Sequence, residues 1–188
     1  MMTSDVLADG SFDEMLILVD PEDNVIGHES KQKCHDGEGR LHRAFSIFLL
    51  NDKNELLLQQ RSAQKRLWPL YWSNSVCGHP RKEENISAAA SRRMIEELGV
   101  KTNLTYLYKF KYKSTFLNKG SENEICSVYY GRFDGRIDPN PSEIQDWRYA
   151  DLKDLNIEIA LRPDHFTPWF RMEWQTIRAE YLKSMTNI

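Results

Sequence analysis

At 188 residues the chain has the length of one domain with a terminal extension. Its net charge of −3 excludes a nucleic-acid-coating protein or a polybasic membrane binder, and 40% hydrophobic residues suffice for a core. No apolar run approaches the ~20 residues of a membrane span, and the acidic N-terminus lacks the order of a signal peptide, so a cytoplasmic protein is expected. The aromatic content fits a core without needing an interface, so a monomer is expected. Cys34, Cys77 and Cys126 are odd in number and widely spaced, which argues against a disulfide framework.

Residues 1–13 read as a mobile leader, because Asp5, Asp9, Gly10 and Asp13 leave little to bury; residues 14–188 form the expected domain. A strand is predicted over Glu14 to Asp20, then a turn at Pro21 to Asn24 and a short strand at Val25 to Gly27. Ala44 to Leu50 is a strongly apolar strand, and Asn51 to Asn54 turns it into Glu55 to Gln60 as a hairpin. Trp68 to Trp72 is a rigid aromatic connection into Ser73 to Cys77. A helix is predicted from an Asn85 N-cap to Leu98, with Gly99 stopping it; Ile86, Ala90, Met94 and Leu98 form its buried stripe. Over 104–112, Leu104, Tyr106, Tyr108, Phe110 and Tyr112 share one face of a strand. Further strands are predicted at Glu124 to Phe133 and Asp146 to Tyr149. Thr167-Pro168 opens a last helix with the stripe Phe170, Trp174, Ile177 and Tyr181. Strands, helix, strands and helix without repeats predict an α/β (α+β) fold, a mixed-sheet α/β/α sandwich.

Two constellations carry chemistry. Gly78, Glu84 six residues later, Arg92, Glu96-Glu97 and Leu98-Gly99 resemble most of a Nudix box. In that motif glutamates on a helix supply hard oxygen ligands for Mg²⁺, which holds a diphosphate. Arg93 replaces one expected carboxylate. It lies four residues before Glu97 on the same helix face, and either grips a diphosphate oxygen or forms a solvated salt bridge. The second constellation is His35, His42, His79, Glu122 and Glu124. Glu122 and Glu124 share a face if extended, as do Cys77 and His79. Together the three imidazoles and two carboxylates could supply most of the shell of Mg²⁺, Mn²⁺ or Zn²⁺.

Arg40-Leu41-His42-Arg43-Ala44-Phe45-Ser46, Asn74-Ser75-Val76-Cys77-Gly78-His79-Pro80, Arg92-Arg93, Glu97-Leu98-Gly99, Glu122-Asn123-Glu124 and Pro168-Trp169 carry a closer resemblance. From about Met15 to about Tyr181 the chain resembles the type I, metal-dependent isopentenyl-diphosphate isomerases, a branch of the Nudix superfamily that also has arginine at the position of Arg93. The resemblance implies a Nudix-type sandwich and interconversion of isopentenyl and dimethylallyl diphosphate, a step of isoprenoid biosynthesis, through a tertiary carbocation. That chemistry needs an acid, a base and a dry pocket. By motif, Cys77 and Glu124 would face the substrate from opposite sides, with Glu124 the proton donor and Tyr112 nearby. Trp169 would offer its π face to the cation, the alternative being first-turn packing on the sheet. Lys31, Arg61, Lys65 and Arg93 would hold the diphosphate. Glu97 would hold the Mg²⁺ that bridges it, and the His/Glu set (His35, His42, His79, Glu122, Glu124) a second divalent ion. The partner implied is a small prenyl diphosphate, with no nucleic acid and no membrane.

Cys77 has two other readings, an inert buried thiol or a covalent nucleophile, although this reaction needs no covalent intermediate. Cys126 is read as inert and Cys34 as structural. Two other functions remain open: a Nudix hydrolase of a diphosphate, and a catalytically silent binding module. Arg93 and the Cys77/His79 pair argue against the first, and the presence of every acid–base candidate against the second.

Overall fold

A single strand, β3 (His42–Leu50), organises the molecule. The computed structural model describes residues 14–186, so the leader expected over 1–13 lies outside the described residues. Before β3 come β1 (Met15–Val19), β2 (Val25–Ser30) and a five-residue helix α1 (Lys31–His35). After it come β4 (Leu56–Arg61), β5 (Trp72–Ser73), β6 (Val76–Gly78), α2 (Ile86–Leu98), β7 (Leu104–Phe116), β8 (Gly120–Arg132), β9 (Ile144–Ala150), α3 (Leu152–Leu161) and α4 (Pro168–Thr176). A π-helical turn, Ile177–Tyr181, links α4 to α5 (Leu182–Thr186).

On one edge β3 pairs in parallel with β8 along its whole length, from His42 opposite Glu124 to Leu50 opposite Arg132. Its other edge is shared in turn by β1 at His42, β6 from Phe45 to Ile47, and β4 at Leu50. The expected turn at Asn51–Asn54 is present, closed by Asn51 N–H to the Glu55 carbonyl at 3.0 Å. The expected hairpin is not, because β3 and β4 meet at one residue pair and then part. β4 takes β9 as its partner instead.

The two faces of the sheet pack different helices, giving the expected mixed α/β/α arrangement. On one face Phe48, Leu58 and Val128 lie against Phe170, Trp174 and Ile177. On the other, Phe45, Ile47 and Tyr129 lie against Ala89, Ala90, Met94 and Leu98 of α2. The α2 caps are as expected: the Asn85 side chain accepts from Ser87 N–H, and Gly99 takes a left-handed conformation at φ 68°. Thr167 precedes α4, but its hydroxyl is turned to Ser73, 2.9 Å away, and does not cap the helix.

β7 departs from its expected alternation. A register shift between Tyr106 and Tyr108 places an extra residue in the strand. Leu104 and Tyr106 pack on the α2 side, where Tyr106 meets Tyr129 edge-on at 5.6 Å. Tyr108, Phe110 and Tyr112 pack on the opposite side. Without that shift, Tyr112 would point away from the sheet face that carries Glu124.

Gly120 starts β8 at φ 145°, and a Cβ there would run into the His35 carbonyl oxygen. The close approach seats α1 against β8. Gly120→Ala is expected to destabilise the fold by about 3 kcal/mol through this backbone clash, read from urea unfolding. A loss below about 1 kcal/mol would show that α1 is free to move aside.

Candidate active site

The site lies on the α4-facing side of the sheet, where register alone aligns several functional groups. His42 on β3 sits beside Glu124 on β8, and Glu124 sits beside Tyr112 on β7. On the other flank of β3, Cys77 of β6 is opposite Ser46. Cys77 and Glu124 therefore come from strands on opposite sides of β3. A cavity of about 670 Å³ opens over them, lined also by Lys31, Arg61, Lys65, Arg93, Glu97 and Trp169.

His35, His42, His79, Glu122 and Glu124 converge, with one ligand atom from each within 4.8 Å of all the others. The three imidazole centroids are 4.8, 5.1 and 4.9 Å apart. Carbonyl oxygens of Lys31 and Arg40 lie 2.6 and 2.7 Å from Nδ1 of His35 and His42. Each Nδ1 must carry its hydrogen to donate there, which leaves Nε2 of the neutral ring as a lone pair aimed into the cluster. His42 Nε2 is buried without a hydrogen-bond partner, and so is Glu122 Oε2. His35 Nε2 approaches that oxygen to 2.8 Å without hydrogen-bond alignment. The orphaned His42 nitrogen and Glu122 oxygen, converging at this range with donors from His35, His79 and Glu124, form a set that fits a divalent metal ion.

Glu124 receives His79 Nε2 at 2.8 Å on Oε1 and the Tyr112 hydroxyl at 2.6 Å on Oε2. Burial opposes its charge, but His42, Tyr112 and His35 hold its pKa below the usual carboxylate value. Burial likewise opposes charge on His35, yet Glu122 lifts its pKa to about 9. A metal ion must displace that proton, so binding is coupled to pH. Burial, with His42 and His35 close by, drives His79 well down. Cys77 donates its S–H to Asn74 Oδ1 at 3.0 Å, and burial pushes its pKa up to about 12. At neutral pH Cys77 is a thiol and Glu124 a carboxylate.

The cationic end of the cavity is braced by carboxylates. Arg93 bonds Glu97 at 2.6 Å and Glu143 at 3.0 Å, and Lys65 also pairs with Glu143. The Arg93–Glu97 pair expected from helix spacing is thus present, but it is buried and lines the cavity. Burial works against Glu143, but Lys65 and Arg93 hold it down to about 2; burial, with Glu143 adding to it, raises Glu97. Gln59 also reaches Glu97, at 3.3 Å. Arg61 is tied to the Trp68 and Leu67 carbonyls at 3.0 and 2.9 Å, and its guanidinium sits 5.2 Å over the Trp169 ring. Trp169 is fixed by its indole N–H to Ser73 at 3.1 Å. Lys31 bonds Glu14 at 3.1 Å at the cavity margin. Glu96 stays with Arg92 and Arg93 and does not line the cavity.

A family model of the NUDIX domain matches residues 40–170. An isopentenyl-diphosphate Delta-isomerase of Photorhabdus laumondii is 43% identical over 166 residues, covering 87% of this chain and 94% of the relative. One of Serratia proteamaculans is 44% identical over 158 residues, covering 84% and 88%. The chain belongs to the Nudix-type isopentenyl-diphosphate isomerase family. Among solved structures, a Deinococcus radiodurans protein superposes with a TM-score of 0.65 at 27% identity, over 79% of this chain and 90% of its own. A MutT protein of Methanosarcina mazei shares the fold at a TM-score of 0.62 and 17% identity, over 74% and 94%.

Residues beyond those expected complete the site of this isomerase-family chain. Glu143 faces the cavity from the loop before β9, where no spacing in the sequence marks it. Asn74 and Ser46 lie inside the family segments, and both contact Cys77. Glu173 of α4 is fully buried behind them, and burial pushes its pKa up to about 8. The folded state therefore keeps a proton that the unfolded chain releases near pH 4.5. Stability is expected to fall as pH rises from that value to about 8 and to level off beyond. Glu173→Gln removes this penalty, so it should match the wild type near pH ~5 and exceed it by on the order of 3–4 kcal/mol near pH ~9. Paired thermal melts read the difference; a gap that stays constant with pH would place the carboxyl in water. Among the described residues, no helix is long and apolar enough to cross a membrane.

Proposed function

We propose that this protein interconverts isopentenyl diphosphate and dimethylallyl diphosphate by adding one proton to the substrate and removing another. The observation that carries this reading is one cavity holding a thiol and a carboxylate on opposite flanks of β3, with paired cations at its other end. Protonation of the terminal alkene carbon gives a tertiary cation, and loss of a proton from the carbon next to the diphosphate-bearing one relocates the double bond. Each direction of such a reaction needs one group loaded with a proton and one empty.

Cys77 and Glu124 are the two groups. Without a bound ion, burial keeps the proton on Cys77 while His42, Tyr112 and His35 favour the charged form of Glu124. Glu124 must take up a proton, and Cys77 release one, before Glu124 can act as donor and Cys77 as base. Tyr112 donates to Glu124 and steadies its charged form. Trp169, whose ring already accepts a guanidinium over its face, is the aromatic surface offered to the cationic substrate. Its neighbours Trp68, edge-on at 5.2 Å, and Leu67 keep that end of the cavity dry.

Arg93, Lys65, Arg61 and Lys31 neutralise the diphosphate. Glu97 would supply a hard oxygen donor for Mg²⁺ at the diphosphate end of the cavity. His35, His42, His79, Glu122 and Glu124 would hold a second divalent ion, Mn²⁺, Mg²⁺ or Zn²⁺. When bound, these ions supply positive charge that anchors the diphosphate and shifts the proton affinity of Glu124. Proton NMR of isopentenyl diphosphate incubated with the protein and Mg²⁺ in D₂O tests the reading. Deuterated dimethylallyl diphosphate is expected. Unchanged substrate with metal bound would overturn it, and released phosphate or diphosphate would put hydrolysis in its place.

A further inference from the structure

We propose that Glu173 is a positioning residue for this reaction: its carboxyl group, sealed beneath the site, orients Ser46 and through it the Sγ of Cys77. The proposal rests on the isomerase reading above and adds a residue to it. Three contacts join the two ends. Cys77 Sγ lies 3.6 Å from Ser46 Oγ, Ser46 Oγ lies 3.5 Å from Cys126 Sγ, and Cys126 Sγ lies 3.5 Å from Glu173 Oε1. Glu173 and Cys126 are closed to solvent, and Ser46 is 1% exposed, so water does not replace the links among these three. Glu173 Oε2 has no hydrogen-bond partner among the described residues.

The hydrogen count gives the carboxyl its purpose. Cys77 spends its S–H on Asn74 Oδ1, which leaves the sulfur to accept from Ser46. A Ser46 hydroxyl that donates to Cys77 keeps its lone pairs free to accept, and Cys126 is the thiol within reach of its oxygen. Cys126 has one hydrogen for two acceptors, Ser46 Oγ and Glu173 Oε1. With the Glu173 carboxyl protonated by burial, the carboxyl donates to Cys126 Sγ and the thiol hydrogen goes to Ser46. Donation then runs one way, from Glu173 to Cys126 to Ser46 to Cys77 to Asn74. A buried polar chain of this kind fixes its members when complete and loosens them when one end is lost. Glu173 also lies one helical turn beyond Trp169 on α4, so one helix supplies both the cavity's aromatic wall and the end of this chain.

Glu173→Met, Glu173→Gln and Ser46→Ala test the proposal in the full-length protein with Mg²⁺. Each is assayed on isopentenyl diphosphate, melted to confirm folding, and crystallised to locate Cys77 Sγ. Glu173→Met fills the space without a donor and should lower kcat roughly 100-fold while KM holds, with Sγ displaced. Ser46→Ala should reproduce that split. Glu173→Gln, whose amide can still donate, should restore most of the rate and return Sγ to its place. A folded Glu173→Met with wild-type kcat, or one whose Sγ is unmoved, overturns the proposal. An equal loss in Glu173→Gln does the same. Should the wild type fail to isomerise, the functional reading falls, and the Sγ positions still decide whether Glu173 positions Cys77.

Discussion

Cys77→Ala is expected to lower kcat for isomerisation by about 10²–10⁴-fold, the span that one general acid–base group supplies, and to leave KM almost unchanged. The separation follows from the layout of the cavity. Arg93, Lys65 and Glu143 brace one another through contacts that do not involve Cys77. Fold stability should barely move, because Asn74 Oδ1 keeps the Ser73 hydroxyl at 3.0 Å once the thiol is gone. Steady-state kinetics and a thermal melt together read both halves. The same variant separates the alternatives, since water attack on phosphorus needs no thiol and a binding module would keep its affinity. A rate within about tenfold of wild type would remove Cys77 from the chemistry.

Glu124→Gln should be at least as damaging, because one carboxylate serves three neighbours. Its Oε1 meets His79 at 2.8 Å, its Oε2 takes the Tyr112 hydroxyl at 2.6 Å, and His42 Nε2 stands 3.5 Å away. An amide of the same shape can still accept from Tyr112, but it is a poor ligand for a divalent ion and does not carry a proton. The expected outcome is a kcat loss beyond about 10³-fold, together with at least ~100-fold weaker Mn²⁺ binding measured by calorimetry. Tyr112→Phe leaves the carboxylate and the imidazoles in place and should lose far less. Full metal content and near-normal rate in Glu124→Gln would sever the link between the ion site and catalysis.

The parts of this molecule that follow from neighbouring residues were legible in its sequence. The α2 helix, with Asn85 at one end and Gly99 at the other, is such a case. So are His42, His79, Glu122 and Glu124, whose segments the family pattern marks. What escaped depends on contacts between distant residues. The short α1 helix hides in Lys31–His35 because five residues cannot show a period, and α3 hides because Leu155 is its one buried residue. The bulge in β7 has no glycine or proline to announce it. The hairpin expected at Asn51 was a local inference defeated by β8 and β9, which offer β3 and β4 longer partners. Glu143 and Glu173 gained their place from the cavity and the core, not from spacing. Ser46 lies at the end of a family segment, but its bearing on Cys77 required β6 to lie beside β3. Gly78 is similar: a Cβ there would meet Phe45 at 2.9 Å and Arg93 at 3.1 Å, a constraint of packing that its place in the box does not reveal.

The pairing of β3 with β8 also governs how the molecule comes into being. His42 and Glu124 are neighbours in space, yet a ribosome makes almost half the chain between them. A parallel pair so far apart must close a long loop before any of its bonds reward the closure, which slows folding. Until β8 has emerged and docked, Glu122 and Glu124 are not beside the imidazoles. An emerging chain therefore has no half-built version of this chemistry: its activity should appear late in refolding, together with the last cooperative phase.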